Sequence, residues 1–536
     1  MFCCHQAGEA LVPVLVGVTI DEAVGTGSVP ALLLWLAVLG ADFLFLSTSY
    51  RFGARSAWHA DVHADARLRM QIADRLLNPR GGAEAGRLPG GLVSIAVADA
   101  KRVGQVNVAL PLGLSAIAAV TVAAVALLTI SLPLGLLILL GTPPLLWLVQ
   151  RIGRPLERRS GPEQERAAQA SGVAADLVTG IRVLKGIGAE DAAVAQYVGT
   201  SRSALRATLR ATRAEAGFLG TVQLANGLFL ALIALVGGHL AVNGSISVGG
   251  LVAAVGLAQF LVNPLQMVGV VSARLAQGRA SAARIAELLS APHAVGPGRD
   301  DAPPGTGEGA LRVRGLTHGG LDGLDLDLAP GELLGVVALD PAHAGDLLRC
   351  LSREVEPEAG RVELDGIPLA DLSPDAARAA VLVAAHGAHL FTGTLRDNVL
   401  AGASPDGDFE PAMSAAQADQ AADSLPAGRD TEIAARGSSL SGGQRQRVAL
   451  ARALAANAPV LVLHDPTTAV DTVTEARIAA GLRDVRRERG TVLVTTSPAL
   501  LAVADRVVVL SGGRITAAGT HVELMADPDY RAVVTG

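Results

Sequence analysis

Lysine is nearly absent from this chain of 536 residues: it occurs at Lys101 and Lys185 alone, and arginine supplies the positive charge elsewhere. Cysteine is almost as scarce. Cys3 and Cys4 are neighbours and Cys350 stands apart, so three thiols offer no disulfide framework. No small-residue cleavage signal precedes Cys3 and Cys4, which argues against a lipid anchor, and no charged start marks a secretory leader. The net charge is only −6, without the basic footprint that nucleic acid requires, so no nucleic-acid partner is expected. Charged residues make up 18% of the chain against 50% hydrophobic, which is too apolar for a soluble enzyme. The length exceeds what one core holds, and two or more domains are expected.

The apolar residues are concentrated before residue 272. Segments 29–50, 108–130, 132–149, 218–242 and 248–271 each come close to the roughly 20 apolar residues that cross a bilayer. A sixth candidate, 10–24, comes first in order. It is short, follows the polar His5, Gln6 and Glu9, and is read as a truncated span whose natural start is expected upstream. Basic residues are missing from loops 21–28, 131–133 and 243–247. They crowd the two long connections instead. Segment 51–107 carries Arg51, Arg55, Arg67, Arg69, Arg75, Arg80, Arg87, Lys101 and Arg102, and segment 150–217 carries Arg202, Arg206, Arg210 and Arg213 among others. By the positive-inside tendency both face the cytoplasm. Both look helical and lack an apolar core of their own, as helix extensions reaching a cytosolic domain would. Inside the spans lie Asp42, Gln223, Asn226, Gln259, Asn263 and Gln266. An ionisable group at that depth usually faces a cavity or a partner, whereas amides more often tie helices together. Asp42 is therefore the first candidate for the transport path, and none of the six names a cargo.

Residues 290–309, dense in Pro, Gly and Asp, read as a linker. From Leu311 onward short apolar runs alternate with helical segments, the mark of a mostly parallel sheet. Strands are expected at 333–337, 380–383, 460–463, 492–494 and 506–510. Here the motifs become specific. Leu440-Ser441-Gly442-Gly443-Gln444, continuing through Arg445 to Leu454, resembles the ABC signature and its helix. Leu461 to Asp471 resembles the Walker B strand and D-loop, and 390–398 resembles the exporter segment after the Q-loop. Residues 180–189 are similar to the second coupling region, and 507–515 to the strand and turn after the H-loop. The chain is identified on these residues as a member of the type 1 ABC exporters, a half-transporter. The resemblance implies an all-α six-helix transmembrane domain (1–283), a linker (284–310) and an α/β P-loop-type ABC nucleotide-binding domain (311–536).

The same resemblance marks what is missing. A Walker A loop needs backbone donors, a lysine for the phosphates and a hydroxyl for Mg²⁺. After strand 333–337 the chain reads Ala338-Leu339-Asp340-Pro341-Ala342-His343-Ala344-Gly345-Asp346. Ala338 and His343 replace the glycines, Ala344 the lysine and Gly345 the hydroxyl, and Pro341 has no N–H. Asp340 and Asp346 add charge of the wrong sign. With no lysine after Lys185, no shifted alignment restores the loop. His464 falls where the Mg²⁺-binding aspartate belongs, and imidazole is a poor ligand for hard Mg²⁺. Asp465 falls at the catalytic-glutamate position, one methylene short. His386 stands for the Q-loop glutamine and Thr496 for the H-loop histidine, and no Phe, Trp or Tyr occurs in 311–331 to stack on adenine.

Sites in this family are composite, with Walker motifs from one domain and signature from the other. The resemblance therefore implies a subunit that contributes Ser441, Gly442, Gly443 and Gln444 in trans. ATP and Mg²⁺ would be held mainly by a second half-transporter with intact Walker motifs. Closure would reach the membrane through turns near 80–93 and 188–197. No metal site is expected in this chain, and Asp465 is a weak catalytic candidate. The expected location is a bacterial plasma membrane, with the second domain cytoplasmic and the lipid bilayer as a partner. The alternative is a non-transporting regulatory or scaffold membrane protein. A decaying gene fits less well beside a complete signature. The spans exclude a soluble ABC ATPase, and the fusion excludes an importer permease.

Overall fold

The computed structural model describes residues 1–299, 309–387, 389–403, 409–434 and 437–535, with backbone alone at 150 and 152–164. Contacts divide the chain into two compact units, Met1–Ile72 with Gly90–Glu287, and Ala73–Pro89 with Leu288–Gly536. Residues 300–308 of the expected linker lie outside the described residues.

The first unit is helical. Val29–Leu76, Leu132–Thr179, Glu190–Val242 and Val248–Leu289 contain 48, 48, 53 and 42 residues. At 1.5 Å per residue each exceeds the roughly 30 Å of a hydrocarbon core, so apolar spans continue as charged extensions. Among the described residues, five helical segments are long and apolar enough to cross a membrane. The first helix, Phe2–Thr19, is not among them. It is continued by a π-turn, Ile20–Val24. Gly17 and Gly249 let it approach the start of Val248–Leu289 closely: a Cβ on Gly249 would lie 2.0 Å from the Gly17 carbonyl oxygen. Small residues serve this purpose between membrane helices. The Asp21 carboxylate accepts from the Gly249 N–H at 2.9 Å and from the Ser247 hydroxyl.

A buried carboxylate fastens the cytoplasmic ends. Asp99 accepts from Arg284 Nε at 2.8 Å and Nη2 at 2.6 Å, and from the Ser281 hydroxyl at 2.9 Å. The Arg284 guanidinium beside it holds the Asp99 carboxyl below the usual carboxylate range, against the opposing effect of burial. The clamp joins the 95–102 region to the end of Val248–Leu289.

The second unit is α/β. Its main sheet runs Arg514–Gly519, Arg506–Ser511, Leu333–Ala338, Gly490–Val494, Val460–His464 and Val381–Ala384, parallel except for the first edge strand. Val460, Leu461, Val462 and Leu463 are all 1% exposed or less. Helices covering both faces of a parallel sheet produce such continuous apolar strands. A smaller antiparallel sheet contains Leu311–His318, Leu321–Leu328 and Ala359–Leu364. Segment 73–89 belongs to this unit because Arg75 donates to the Ala291 and Pro292 carbonyls, while the Arg80 carbonyl accepts from Ala294 and Val295.

Arg486 is 3% exposed and has no carboxylate partner among the described residues. It donates to the carbonyls of Ala458, Pro459 and Gly490 and to Thr491 Oγ1. Burial pushes its pKa down to about 10, with Arg489 adding to the effect. Arg486→Met would strand those acceptors, at a cost of about 3 kcal/mol. Thermal unfolding of this unit is expected to fall by about 6–12 °C. An unchanged transition in a fluorescence melt would show that these bonds do not hold strand Gly490–Val494 in place.

Candidate functional site

Open α/β sheets bind ligands at the carboxyl ends of their strands. Four strands bring the expected site residues to that edge. His386 follows Val381–Ala384, His464 ends Val460–His464 with Asp465 next, and Thr496 follows Gly490–Val494. The loop at 338–346 leaves Leu333–Ala338. Register aligns Val494 with both His464 and Val336, and Leu463 with Ala384.

His386 and His464 lie 5.8 Å apart between ring centroids, and His464 Nε2 is 3.8 Å from Asp465 Oδ2. Burial lowers the His464 pKa. His386 adds to that and Asp465 opposes it. The ring is therefore neutral at physiological pH. Asp465 has φ +45°, a left-handed conformation that aspartate tolerates better than most residues, and its N–H donates to the Val494 carbonyl at 3.0 Å. These three residues line a cavity of about 350 Å³ together with Gln446 and Arg452. Sequence reasoning took Arg452 only as part of the signature helix. It donates to the His389 carbonyl at 2.8 Å and lies over the Phe391 ring, and its Nη1 is buried without a partner among the described residues. Among the described residues no group of three His, Cys, Asp or Glu could hold a metal ion. Thr496 is exposed.

Loop 338–346 satisfies itself. Asp340 caps the helix Pro341–Leu351: its Oδ1 accepts from the Ala342 N–H at 2.9 Å and its carbonyl from the His343 N–H at 3.1 Å. Pro341 fills the first position without a donor. The turn that would present N–H groups to a phosphate is thus occupied by a carboxylate of the same chain. Asp346 Oδ2 accepts from the Gly320 N–H at 2.8 Å, so the tight Gly319-Gly320 hairpin lies against this helix. A Cβ on Gly320 would fall 2.4 Å from the His343 ring. Ala344 is 4% exposed within the apolar core beside Leu347 and Leu348. The Ala342 and His343 N–H groups are thus both taken up by Asp340.

Ala344→Lys is accordingly expected to leave nucleotide binding undetectable. The new side chain would start in the core, with overpacking alone costing about 1–3 kcal/mol. Equilibrium dialysis with labelled ATP checks this, and micromolar affinity would mean that the lysine was the only deficit.

The signature is built differently. Ser441 caps the helix Gly442–Ala455 in a reciprocal box: its hydroxyl accepts from the Gln444 N–H at 3.3 Å, and Gln444 Oε1 accepts from the Ser441 N–H at 2.8 Å. Gln444 also donates to the Ser424 hydroxyl at 2.9 Å. The Gly442 and Gly443 N–H groups have no acceptor among the described residues. Unpaired N–H groups at a helix start are donors that an anion can accept from. Gly443 allows close contact with the 467–471 turn, since a Cβ there would meet the Ala469 carbonyl oxygen at 2.7 Å. Gln446 fastens that turn, accepting from the Ala469 N–H and donating to Thr468, each at 2.7 Å.

Comparison with known proteins gives the family. Residues 1–265 match the model for the ABC transporter transmembrane region, and 321–468 match the ABC transporter model. An ATP-dependent lipid A-core flippase of Thiobacillus denitrificans is 32% identical over 400 residues, 73% of this chain and 69% of that protein. A multidrug efflux ATP-binding/permease protein of Mycobacterium tuberculosis is 31% identical over 539 residues, 98% of this chain and 45% of that protein. A bacterial Atm1-family ABC exporter solved with ATP bound superposes with a TM-score of 0.73 at 23% identity, covering 100% of this chain and 97% of that one, which shows the fold. The chain belongs to the ABC transporters: it is an exporter with fused transmembrane and ATP-binding regions, a multi-pass plasma-membrane protein whose ATP-binding domain is cytoplasmic.

Proposed function

We propose that this chain is the non-hydrolytic half of an asymmetric ABC exporter. It would supply Ser441, Gly442, Gly443 and Gln444 to ATP and Mg²⁺ held by the Walker motifs of a different half-transporter. The observation that carries this reading is the contrast within one domain. The signature turn has a reciprocal cap at Ser441 and Gln444 and keeps two N–H groups without an acceptor among the described residues, while the turn read as Walker A is filled by Asp340. Residues 2–24 are read as the sixth span, pinned at Gly17 to Gly249. The match to less than half of a double-length efflux relative supports a half-transporter. Closure of the ATP-binding domains would act on the membrane helices through the turns near 80–93 and 188–197, and Arg75 and Arg80 hold the start of the first within the second unit. The test is co-purification with a neighbouring half-transporter that carries Walker A and the catalytic glutamate. ATPase activity is expected in the pair alone. A partner that turns over ATP equally well without this chain would remove the reading.

A further inference from the structure

The helix Val29–Leu76 runs past its apolar span as a charged extension, and His59 and His63 stand on it one turn apart. They lie roughly 14–20 Å beyond Tyr50, where the 29–50 span ends. Both are exposed. Their rings stack, with centroids 4.0 Å apart and planes 26° from parallel. His63 Nδ1 donates to the His59 carbonyl at 2.9 Å, which leaves the lone pair on His63 Nε2. A bond of this kind fixes the tautomer and the orientation of a metal-ligating imidazole. The nearby carboxylates are turned elsewhere. Asp65 accepts from Arg69 Nε at 2.8 Å, and Asp61 is 8% exposed and lies against Gly104. One turn away on either side, the same face carries exposed Arg55 and Arg67.

Two histidines four residues apart on one helix face have the spacing of a metal chelate. Nitrogens about 2.0–2.1 Å from one ion, and at right angles to each other, lie about 3 Å apart. The stacked rings reach that separation by tilting their Nε2 edges together. We propose that His59 and His63 form a two-imidazole site for a late first-row divalent cation, Cu²⁺ above Ni²⁺ and Zn²⁺, with water in the remaining positions. Imidazole suits these ions, and Cu²⁺ stands highest in their usual order of affinity. Arg55 and Arg67 repel any dication, so only an ion that gains strongly from nitrogen ligands is held. Mg²⁺ and Ca²⁺, which prefer oxygen, are excluded. A bound ion would bridge successive turns of the extension. The site does not depend on the asymmetric-site reading above.

The full chain in zwitterionic nanodiscs tests this, with Cys3→Ser and Cys4→Ser removing the exposed thiols that would compete. Cu²⁺ is supplied as its iminodiacetate chelate, which leaves two adjacent positions open. Spin-echo modulation from the remote imidazole nitrogens counts the coordinated rings. Two rings per bound Cu²⁺ are expected, at one saturable site that a large excess of Mg²⁺ does not disturb. His59→Gln and His63→Gln should each weaken binding about tenfold or more, as loss of one arm of a chelate implies, and leave one ring. His5→Gln should leave both affinity and ring count unchanged. One ring with both histidines present, unchanged affinity in His59→Gln or His63→Gln, an equal loss in His5→Gln, or displacement by Mg²⁺ overturns the proposal. The ring count needs neither variant, so a variant that fails to fold does not spare it.

Discussion

Purified alone and reconstituted in lipid, the chain is expected to hydrolyse ATP no faster than a protein-free control. In a homodimer each composite site would pair Ser441 with loop 338–346, where Asp340 occupies the first-turn donor and Pro341 has none. No lysine follows Lys185 in the chain. His464, which falls at the position expected for the Mg²⁺ ligand, has its pKa lowered by burial. Removing one preorganised transition-state contact costs about a hundredfold to a thousandfold in rate. Several are missing together here, and typical turnover of 1–10³ s⁻¹ would drop below detection. Phosphate release over hours in proteoliposomes measures it. Substantial turnover that disappears in Asp465→Asn would overturn both the placement of Asp465 and the account of the loop.

Much of this architecture was legible because it depends on local pattern. The parallel strands are continuous apolar runs, and the observed Val460–His464 and Leu333–Ala338 each extend the expected strand by one residue. Ser441 and Gln444 have the spacing of a capping box, so the sequence already indicated where that helix starts. Other features depend on residues far apart in the chain. That Asp346 binds the Gly320 N–H, 26 residues away, is a tertiary contact that no local period encodes. Ala344 is likewise buried in a core drawn from several strands, which the loop's own sequence does not show.

The membrane half divided in the same way. Asn263 and Gln266 were picked out as polar residues in an apolar span, and with Gln6 and Glu9 they line a cavity of about 320 Å³ within the first unit. Gln6 and Glu9 were taken only as a polar approach to a short helix, because their placement beside Val106–Ile130 and Val248–Leu289 is not local. Asp42, the strongest sequence candidate, is not among the residues that line it; its Oδ2 is buried without a partner among the described residues, beside Gly8.

The asymmetry itself is tested by exchanging one residue in each half of the co-expressed complex. Ser441→Arg puts a long cation where the partner's γ-phosphate would dock, and removes the hydroxyl that caps Gly442–Ala455. Closure would be blocked while the partner's own Walker contacts remain. Turnover should therefore fall about a hundredfold to a thousandfold, as loss of a transition-state contact of several kcal/mol requires. Initial ATP binding by the complex should change little. The same change in the partner's signature, which in the proposed pair would face the loop around Ala344, should alter turnover by less than about twofold, far below the loss of a transition-state contact. The deciding measurement is steady-state ATPase of the two variants side by side, with ATP binding measured on the same samples. A large loss confined to Ser441→Arg is the predicted result; equal losses in both variants, or none with Ser441→Arg, would contradict it.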